Sequence, residues 1–415
     1  MRNLSMAATL AAALALSACD SVPGNIEPAR AEVAPAPPAP VVQKYTRVGT
    51  SGNEPVIFAA PDGVLYIAAL QYLYRSTDGG KVWTQLPGPV FAGPLNLASD
   101  SSLAMDPGGR LYFNFDWPYA GLTAVCTSDD HGDTWACNPA AGPGATDRMW
   151  VLAPATDRAY MVTNEALYET TFFVSDDGGL TWLPSQFGSG LLEPQTGPLL
   201  QKPGGSRVLQ VTKGGGGLGF YTFTPDTLGA PRSGFTPTGL PAPMALPSAA
   251  FGSDGTLYAV TEAANEQGGH GLVVTRSADE AQTWTALPEV PGSGNGTSIF
   301  SWIAAGSAGH VGVLFYLTDQ AVEPGLAVDA TWSAVWAETY DALSEEPEWT
   351  MTTVDPMVRL GAVCIAASCS GDDRFAGDFI SAAIDQADDA HLAWMAHTGT
   401  GTAEVRYLRI PARKP

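Results

Sequence analysis

Acidic and basic side chains stand directly before three short apolar segments of this chain. Glu54 precedes one segment, Asp147 and Arg148 precede another, and Arg374 and Asp378 precede the third. Two carboxyl groups held at a defined separation can cleave a glycosidic bond, one as an acid and the other as a base or nucleophile. Carboxylate oxygens are also good ligands for Ca²⁺. The arginines support a structural alternative, in which the carboxylates cap backbone groups or pair with neighbouring guanidinium groups.

Repeated pairs of strands are expected to position these side chains. An apolar segment, a tight turn and a second apolar segment recur seven times, beginning at Glu54, Ser101, Asp147, Gly197, Pro247, Ser301 and Asp378. The spacing is roughly 50 residues, except where an insertion at 362–373 lengthens the last interval. Val, Ile, Leu, Tyr and Phe fill the segments, while Gly, Asp and Pro occupy the turns. This pattern predicts an all-β fold built from repeated units.

Four octapeptides follow the first, second, third and fifth pairs of strands. They are 76–83 (STDGGKVW), 128–135 (SDDHGDTW), 175–182 (SDDGGLTW) and 277–284 (SADEAQTW), with degenerate versions at 223–229 and 343–349. In such a turn, Ser and Asp side chains hydrogen-bond to the backbone, Gly supplies a positive φ, and Trp opens the next strand. The octapeptides resemble the S-x-D-x-G-x-T-W signature of Asp-box (BNR) β-propellers, the repeat best known from sialidases.

The resemblance implies four-stranded blades with the Asp box between the third and fourth strands. The seventh unit has no Asp box and ends with the apolar strand 404–410. A strand at 45–48 is therefore expected to complete that sheet and close the ring, which removes an exposed edge. We predict a seven-bladed propeller, with six blades as the alternative because sialidases have six.

The resemblance also implies that ligands bind in a central funnel, where the innermost strands begin. Ring closure would bring Glu54 in the first unit next to Asp378 in the last, and Asp147 is a third candidate carboxylate. The candidate ligand-binding residues at the same end of the strands are Asn53, Arg148, Trp150, Trp302 and Arg374.

The sialidase motif itself is incomplete. Sialidases begin their first inner strand with Arg-Ile-Pro, and that arginine helps to hold the carboxylate of sialic acid. Alignment on the turn 61–63 places Asn53-Glu54-Pro55 at this position, so the arginine is missing and an acidic residue stands beside its place. Arg409-Ile410-Pro411 matches the motif only at the end of the chain, on an expected outer strand. The sequence thus argues against sialidase activity.

The N-terminus has the features of an export signal. Met6 to Leu16 is apolar, yet shorter than the roughly 20 residues that span a bilayer. Leu16-Ser17-Ala18-Cys19 resembles the lipobox of bacterial lipoproteins, which implies cleavage before Cys19, lipidation of Cys19 and export; an ordinary secretory signal is the alternative. We predict a signal peptide at 1–18, a lipidated Cys19 and Pro/Ala-rich tether at 19–43, and the propeller at 44–415.

Four cysteines remain after Cys19 is assigned to lipidation. An even number of cysteines in an exported protein favours disulfides. Cys126 and Cys137 flank the second octapeptide and would face each other across a hairpin, and Cys364 and Cys369 close a short loop. We therefore predict these two pairs. A zinc site is disfavoured, because neither pair is accompanied by further Cys or His at zinc-binding spacing.

Charge and missing motifs limit the remaining functions. The formal net charge of −22 disfavours binding to nucleic acids or anionic lipids. No nucleophile elbow, zinc-protease motif, P-loop or dinucleotide fingerprint occurs. We expect a monomer at the cell envelope with no cofactor unless carboxylates hold Ca²⁺. The favoured function is a non-catalytic module that binds a glycan, peptide or envelope protein. The alternative is an exo-acting glycan hydrolase or lyase that uses the funnel carboxylates.

Overall fold

The computed structural model describes most of the region after the expected tether. The described ranges are 44–50, 52–89, 100–117, 122–138, 146–165, 170–187, 196–214, 216–223, 235–365, 374–398 and 403–413. The signal peptide at 1–18 and the tether at 19–43, with Cys19, lie outside them and stay predictions. No helix within these ranges is long and apolar enough to cross a membrane.

The described residues form 28 strands and one short 3-10 helix, Pro324–Leu326. The prediction of an all-β fold is therefore confirmed. Every strand pair except one is antiparallel, as expected for short apolar segments joined by tight turns.

Five sheets have four strands each. One contains β2 (Val56–Ala59), β3 (Leu65–Ala69), β4 (Tyr72–Ser76) and β5 (Thr84–Gln85). The next contains β6 (Ser101–Met105), β7 (Leu111–Trp117), β8 (Leu122–Ser128) and β9 (Ala136–Asn138). Two more follow, with β10 (Thr146–Ala155), β11 (Arg158–Glu165), β12 (Thr170–Ser175) and β13 (Leu183–Phe187), and with β14 (Thr196–Gln201), β15 (Val208–Gly214), β16 (Gly217–Phe223) and β17 (Thr236–Pro241). The fifth contains β26 (Ser381–Ile384), β27 (Ala390–Ala396), β28 (Glu404–Ile410) and β1 (Thr46–Gly49).

The other eight strands form a single sheet. They are β18 (Ser248–Phe251), β19 (Leu257–Ala264), β20 (His270–Ser277), β21 (Thr285–Ala286), β22 (Thr297–Ala305), β23 (Val311–Thr318), β24 (Thr331–Thr339) and β25 (Thr350–Leu360). Strands β20 and β22 are joined in parallel through one residue pair, His270 and Thr297.

The sheet count corrects the prediction of seven separate blades, and it does not match the alternative of six. Five four-stranded blades stand as separate sheets. The segment after β21 causes the difference, because it continues along the edge of β20: Val290 N–H donates to Leu272 O (2.9 Å), and His270 N–H donates to Gly296 O (3.2 Å). The chain thus enters β22 already hydrogen-bonded to the preceding strands.

The innermost strands form a closed ring. Each contacts the next in the order β2, β6, β10, β14, β18, β22, β26 and back to β2. The N-terminal strand β1 pairs antiparallel with β28 and completes the last sheet, which confirms the closure predicted from residues 45–48. The closed ring makes the fold a β-propeller, as the sequence predicts.

A buried ionic network lies next to this closure. The Arg406 guanidinium on β28 pairs with Asp355 on β25 and with Glu404, and it lies 4.3 Å from the ring centre of Tyr45. Trp394 Nε1 donates to Asp355 at 2.9 Å. Burial of charge is costly unless each group is paired and hydrogen-bonded, and here both carboxylates are. The network therefore links the sheet that contains β1 and β28 with strand β25 of the eight-stranded sheet.

The four octapeptides form the turns that the sequence predicts, here called the Ser-x-Asp turns. In each, the Ser hydroxyl donates to the Asp carboxylate at 2.7–2.9 Å. The same hydroxyl accepts the backbone N–H of the fifth residue at 2.8–3.0 Å. Hydrogen bonds, first of all from the Thr134 and Thr283 hydroxyls, lower the pKa values of Asp130 and Asp279 to about 2.

Candidate functional site

The carboxylates and arginines singled out by the sequence meet at one end of the ring. Glu54 precedes β2, Arg148 lies in β10, and Asp378 shortly precedes β26. Together with Asp100 and Arg374 they form what we call the funnel floor.

Glu54 and Asp378 are in direct contact. The backbone N–H of Asp378 donates to Glu54 Oε1 at 2.9 Å, across 324 positions of sequence. Gly377 makes this approach possible, because it has a left-handed φ of 67° and a Cβ atom there would lie 2.4 Å from Glu54 Cγ. The prediction that ring closure brings these two residues together is confirmed.

Asp378 is the centre of an ionic cluster. Its carboxylate accepts hydrogen bonds from Arg148 and from Arg374, the latter at 2.6 Å. Strands β10 and β26 are not neighbours in the ring, so the pair formed by Arg148 and Asp378 crosses the channel mouth. Only 13% and 11% of these two side chains is exposed, which weakens screening of the pair by water.

Glu54 has the most unusual environment of the cluster. It is 5% exposed. Burial raises the pKa of Glu54 above its ordinary value of 4.5, and the negative charge of Asp378 adds to the rise. A hydrogen bond with Asp100, the charge of Arg148 and the N–H of Asp378 act in the opposite direction without cancelling it. Glu54 therefore keeps its proton to a higher pH than a solvated glutamate does.

Three residues of the funnel floor have positive φ angles. The φ angles are 53° at Glu54, 53° at Arg148 and 20° at Asp100. Residues other than Gly rarely adopt a positive φ, because the conformation costs roughly 1–3 kcal/mol of strain for each residue. Such strained residues cluster at functional sites. The surrounding contacts hold the strain in place; for example, Arg148 N–H donates to Asp100 Oδ2 at 2.9 Å.

Asp100 was missed by the sequence analysis. It is 8% exposed and stands immediately before β6, much as Glu54 stands before β2. Its position one residue before the second repeated segment was the available signal. Its role nevertheless depends on the backbone of Arg148, 48 residues away, which no local pattern reveals.

The tryptophans predicted to bind ligand are buried beneath these charges. Trp150 and Trp302 are 4% and 7% exposed, and their rings lie 5.7 Å apart. Phe379 packs at 5.5 Å from each of them. Since β10 and β22 are not adjacent, these rings meet across the channel, and we call them the aromatic plug. Ligand binding by Trp150 and Trp302 stays a prediction, while packing is what their positions show.

Other predicted site residues have varied positions. Asn53 is half-buried beside Glu54. Asp147 lies in β10, and its backbone pairs with Asn164 of β11. The side chain of Asp147 lies outside the described part. Within the described residues, no group of three or more His, Cys, Asp or Glu could hold a metal ion. The suggestion of Ca²⁺ stays untested.

The first predicted disulfide is confirmed. Cys126 on β8 and Cys137 on β9 are bonded, with Cα atoms 4.1 Å apart. Cys364 is also disulfide-bonded, but its predicted partner Cys369 lies outside the described residues. That second pairing therefore stays a prediction.

Comparison with known proteins supports the fold. No protein-family model matches the chain, and no curated protein matches its sequence. A polysaccharide lyase of family PL25, an ulvan lyase, superposes with a TM-score of 0.52 and 11% identity, covering 89% of this chain and 96% of the lyase. The endosialidase of phage phi92 gives a TM-score of 0.52 and 11% identity, covering 90% of this chain and 69% of that enzyme. At such identity the likeness establishes the propeller fold alone.

Proposed function

We propose that the chain is a glycan-cleaving enzyme whose active site is the funnel floor. The carrying observation is the buried carboxyl group of Glu54, with a raised pKa, in contact with Asp378 and its two arginines. Groups with perturbed pKa values cluster at catalytic sites. The two propellers of similar fold, an ulvan lyase and an endosialidase, agree with this class without assigning the substrate.

The geometry gives the two carboxyl groups different roles. Glu54, which retains its proton to a higher pH, would protonate the glycosidic oxygen as it leaves. In a hydrolase, Asp378, held by Arg148 and Arg374, would accept a proton from the water that attacks the sugar carbon as the bond to the leaving oxygen breaks. In a lyase, Asp378 would accept the proton removed from the sugar carbon next to a carboxylate, and Glu54 would protonate the leaving oxygen. Both routes cleave a glycosidic bond.

The substrate proposal does not extend to sialic acid. Asn53 occupies the position of the first arginine of the sialidase motif, and the acidic Glu54 stands beside it. Arg148 and Arg374 already share Asp378 as a partner, which reduces their ability to clamp a ligand carboxylate.

The second candidate is the non-catalytic binding module favoured by the sequence. One observation supports it: Arg148 and Arg374 are both paired with Asp378, as expected of a structural cluster. In that case the funnel would bind a glycan, a peptide or an envelope protein without turnover.

Glu54→Gln distinguishes the two functions. We expect the unsubstituted protein to release products from a panel of polysaccharides and aryl glycosides, and the variant to lose about 10²–10⁴-fold in rate because the amide cannot donate the proton. Glu262→Gln is the matched control, since buried Glu262 only accepts backbone N–H groups of Ser301 (2.8 Å) and Met244 (3.1 Å). Retained glycan binding with no turnover by either protein would favour the binding module, whereas equal turnover by Glu54→Gln would show an enzyme whose proton donor is not Glu54.

We further propose that this propeller is an exported lipoprotein with Asp-box repeats. The lipobox at 16–19, the disulfide of Cys126 and Cys137 and the hydrogen bonding of the Ser-x-Asp turns support this. Replacement of Cys19 by Ser should release the protein from the membrane fraction. Unchanged fractionation of that variant would contradict the lipid anchor.

A further inference from the structure

A cavity of ≈ 460 Å³ lies at the second Ser-x-Asp turn, far in sequence from Glu54 and Asp378. Its lining includes Arg110, Asp129, Thr134, Trp135, Ala136 and Leu180, which come from the second and third repeated units. The volume falls within the roughly 300–1,000 Å³ typical of small-molecule sites. None of these residues belongs to the funnel floor.

The tryptophan of this turn differs from its counterparts in the first and third turns. Trp83 and Trp182 donate their indole N–H groups to the carbonyl oxygens of Gly80 and Gly179, at 3.2 and 3.1 Å. Trp135 Nε1 has no hydrogen-bond partner within the described part of the chain. Its ring borders the cavity and packs 5.9 Å from Phe113. The indole nitrogen of Trp135 is itself buried, so the partly exposed ring, and not the N–H group, borders the cavity.

Trp284 in the fourth turn provides a comparison. Its indole N–H also has no partner within the described residues. Its ring, however, stacks on Phe220 at 5.2 Å and does not line this cavity. A cavity of ≈ 510 Å³ at the fourth turn is lined by residues such as Arg207, Asp279 and Glu280 and by no aromatic ring, so an aromatic ring that borders the cavity distinguishes the second turn from the fourth.

The disulfide stiffens the walls of the same cavity. Thr127 and Ala136 line it and are paired in the ladder between β8 and β9. The next pair in that ladder is Cys126 and Cys137, which are covalently bonded. A wall fixed in this way loses little conformational freedom when a ligand binds, which favours affinity.

The polar groups around the cavity carry both signs of charge. Arg110 Nε donates to Asp129 at 2.7 Å, and its NH1 donates to Asp157 at 2.6 Å. The Asp129 side chain is 72% exposed and can accept further hydrogen bonds. Fixed donors and acceptors beside an aromatic ring suit a ligand with many hydroxyl groups and an apolar face. A sugar has both features.

We propose that this edge cavity is a carbohydrate-binding site, separate from the funnel, for a neutral glycan segment. The chemistry of the lining residues indicates the ligand class. The proposal rests on the proposed function only in that the polymer bound here would also reach the funnel. Such a site would hold a chain near the enzyme and increase its local concentration at the active site.

Ala136→Arg tests the proposal, because Ala136 is exposed and a long side chain there fills the cavity. Thr84→Arg is the matched control: Thr84 has the corresponding place after the first turn, on exposed β5, and does not border this cavity. Calorimetric titration would use hexasaccharides of β-linked glucose, xylose, mannose and N-acetylglucosamine, with Glu54→Gln as the background to prevent turnover. We expect one of them to bind, about tenfold or more weakly to Ala136→Arg and unchanged to Thr84→Arg.

The outcomes separate this site from the funnel. Binding lost in Ala136→Arg and retained in Thr84→Arg supports the edge site, whatever happens to turnover. Equal binding by both variants, or no binding of any hexasaccharide, overturns it. Turnover abolished by Glu54→Gln without peripheral binding would leave the proposed function standing while the edge site falls.

Discussion

Carboxyl groups at the Ser-x-Asp turns and at the funnel floor have opposite environments. Asp130 and Asp279 are solvated and accept several hydrogen bonds, and their pKa values fall to about 2. Glu54 is buried, and its pKa is raised. Solvation and hydrogen bonding stabilise the carboxylate form, whereas desolvation stabilises the protonated form. The chain therefore uses acidic residues to fix its outer turns and holds Glu54 in an environment that favours its protonated form.

The backbone differs between the two regions in a parallel way. Left-handed positions in the first and third turns are glycines, such as Gly79 at φ 75° and Gly178 at φ 73°. At the funnel floor the same conformation is adopted by Glu54 and Arg148. Glycine avoids strain where only a turn is needed. Strain is accepted at Glu54 and Arg148, whose side chains belong to the site, and also in the second and fourth turns, at His131 (φ 59°) and Glu280 (φ 55°).

The largest test of this comparison is the pH dependence of activity. We expect the rate to fall about tenfold per pH unit above the raised pKa of Glu54, because the proton donor is then lost. Product release measured across pH checks this. The same alkaline limb in Glu54→Gln, once its lower rate is taken into account, would remove Glu54 from the donor role.

Stability should change with pH in opposite directions at the two regions. The folded pKa of Glu54 exceeds the ordinary value of 4.5, so its contribution to stability is complete below 4.5 and is lost as pH rises through the folded pKa. The folded pKa values of Asp130 and Asp279 are depressed, so their contributions are lost as pH falls from 3.8 through about 2. Thermal unfolding of Glu54→Gln across pH should therefore lack the alkaline decrease.

The smallest expected effect concerns the fourth turn, where Glu280 has a φ of 55° at the place of Gly79 and Gly178. Glu280→Gly should stabilise the protein by about 0.5 kcal/mol, since relief of strain exceeds the entropy gained by the unfolded chain. Denaturant unfolding measures the change. The reverse substitution, Gly79→Glu in the first turn, should destabilise. If both variants lose stability, Glu280 makes a contribution that backbone strain does not describe.

Local patterns were sufficient for the repeated features. The Ser-x-Asp turns, the strand at the N-terminus and the pairing of Cys126 with Cys137 each depend on sequence periodicity or on neighbouring strands. The separation of sheets was not predictable in this way, because one parallel contact between His270 and Thr297 merges two groups of strands. A contact of that kind depends on where a loop lies, and loops carry no period.

The funnel floor also shows which contacts can be predicted from the repeats in the sequence and which cannot. Glu54 and Asp378 could be placed together because a closed ring makes the first and last units neighbours. The sequence indicated that carboxylates could pair with Arg148 and Arg374, and both arginines do pair with Asp378, but neither the repeat nor the ring order indicated that Arg148 would reach Asp378 across 230 residues. Trp150 and Trp302 were correctly placed on inner strands, but their burial in the aromatic plug depends on the width of the channel.

Pairing of β1 with β28 has a consequence for the order in which the molecule is made. Thr46 lies at the beginning of the described chain and pairs with Tyr407 near its end. A contact of this sequence separation cannot form until β28 has been synthesised, and such contacts slow folding. Strand β1 therefore has no partner strand until the other described strands have been synthesised. The pairing of β1 with β28 can then complete the ring only after the other described strands have been made.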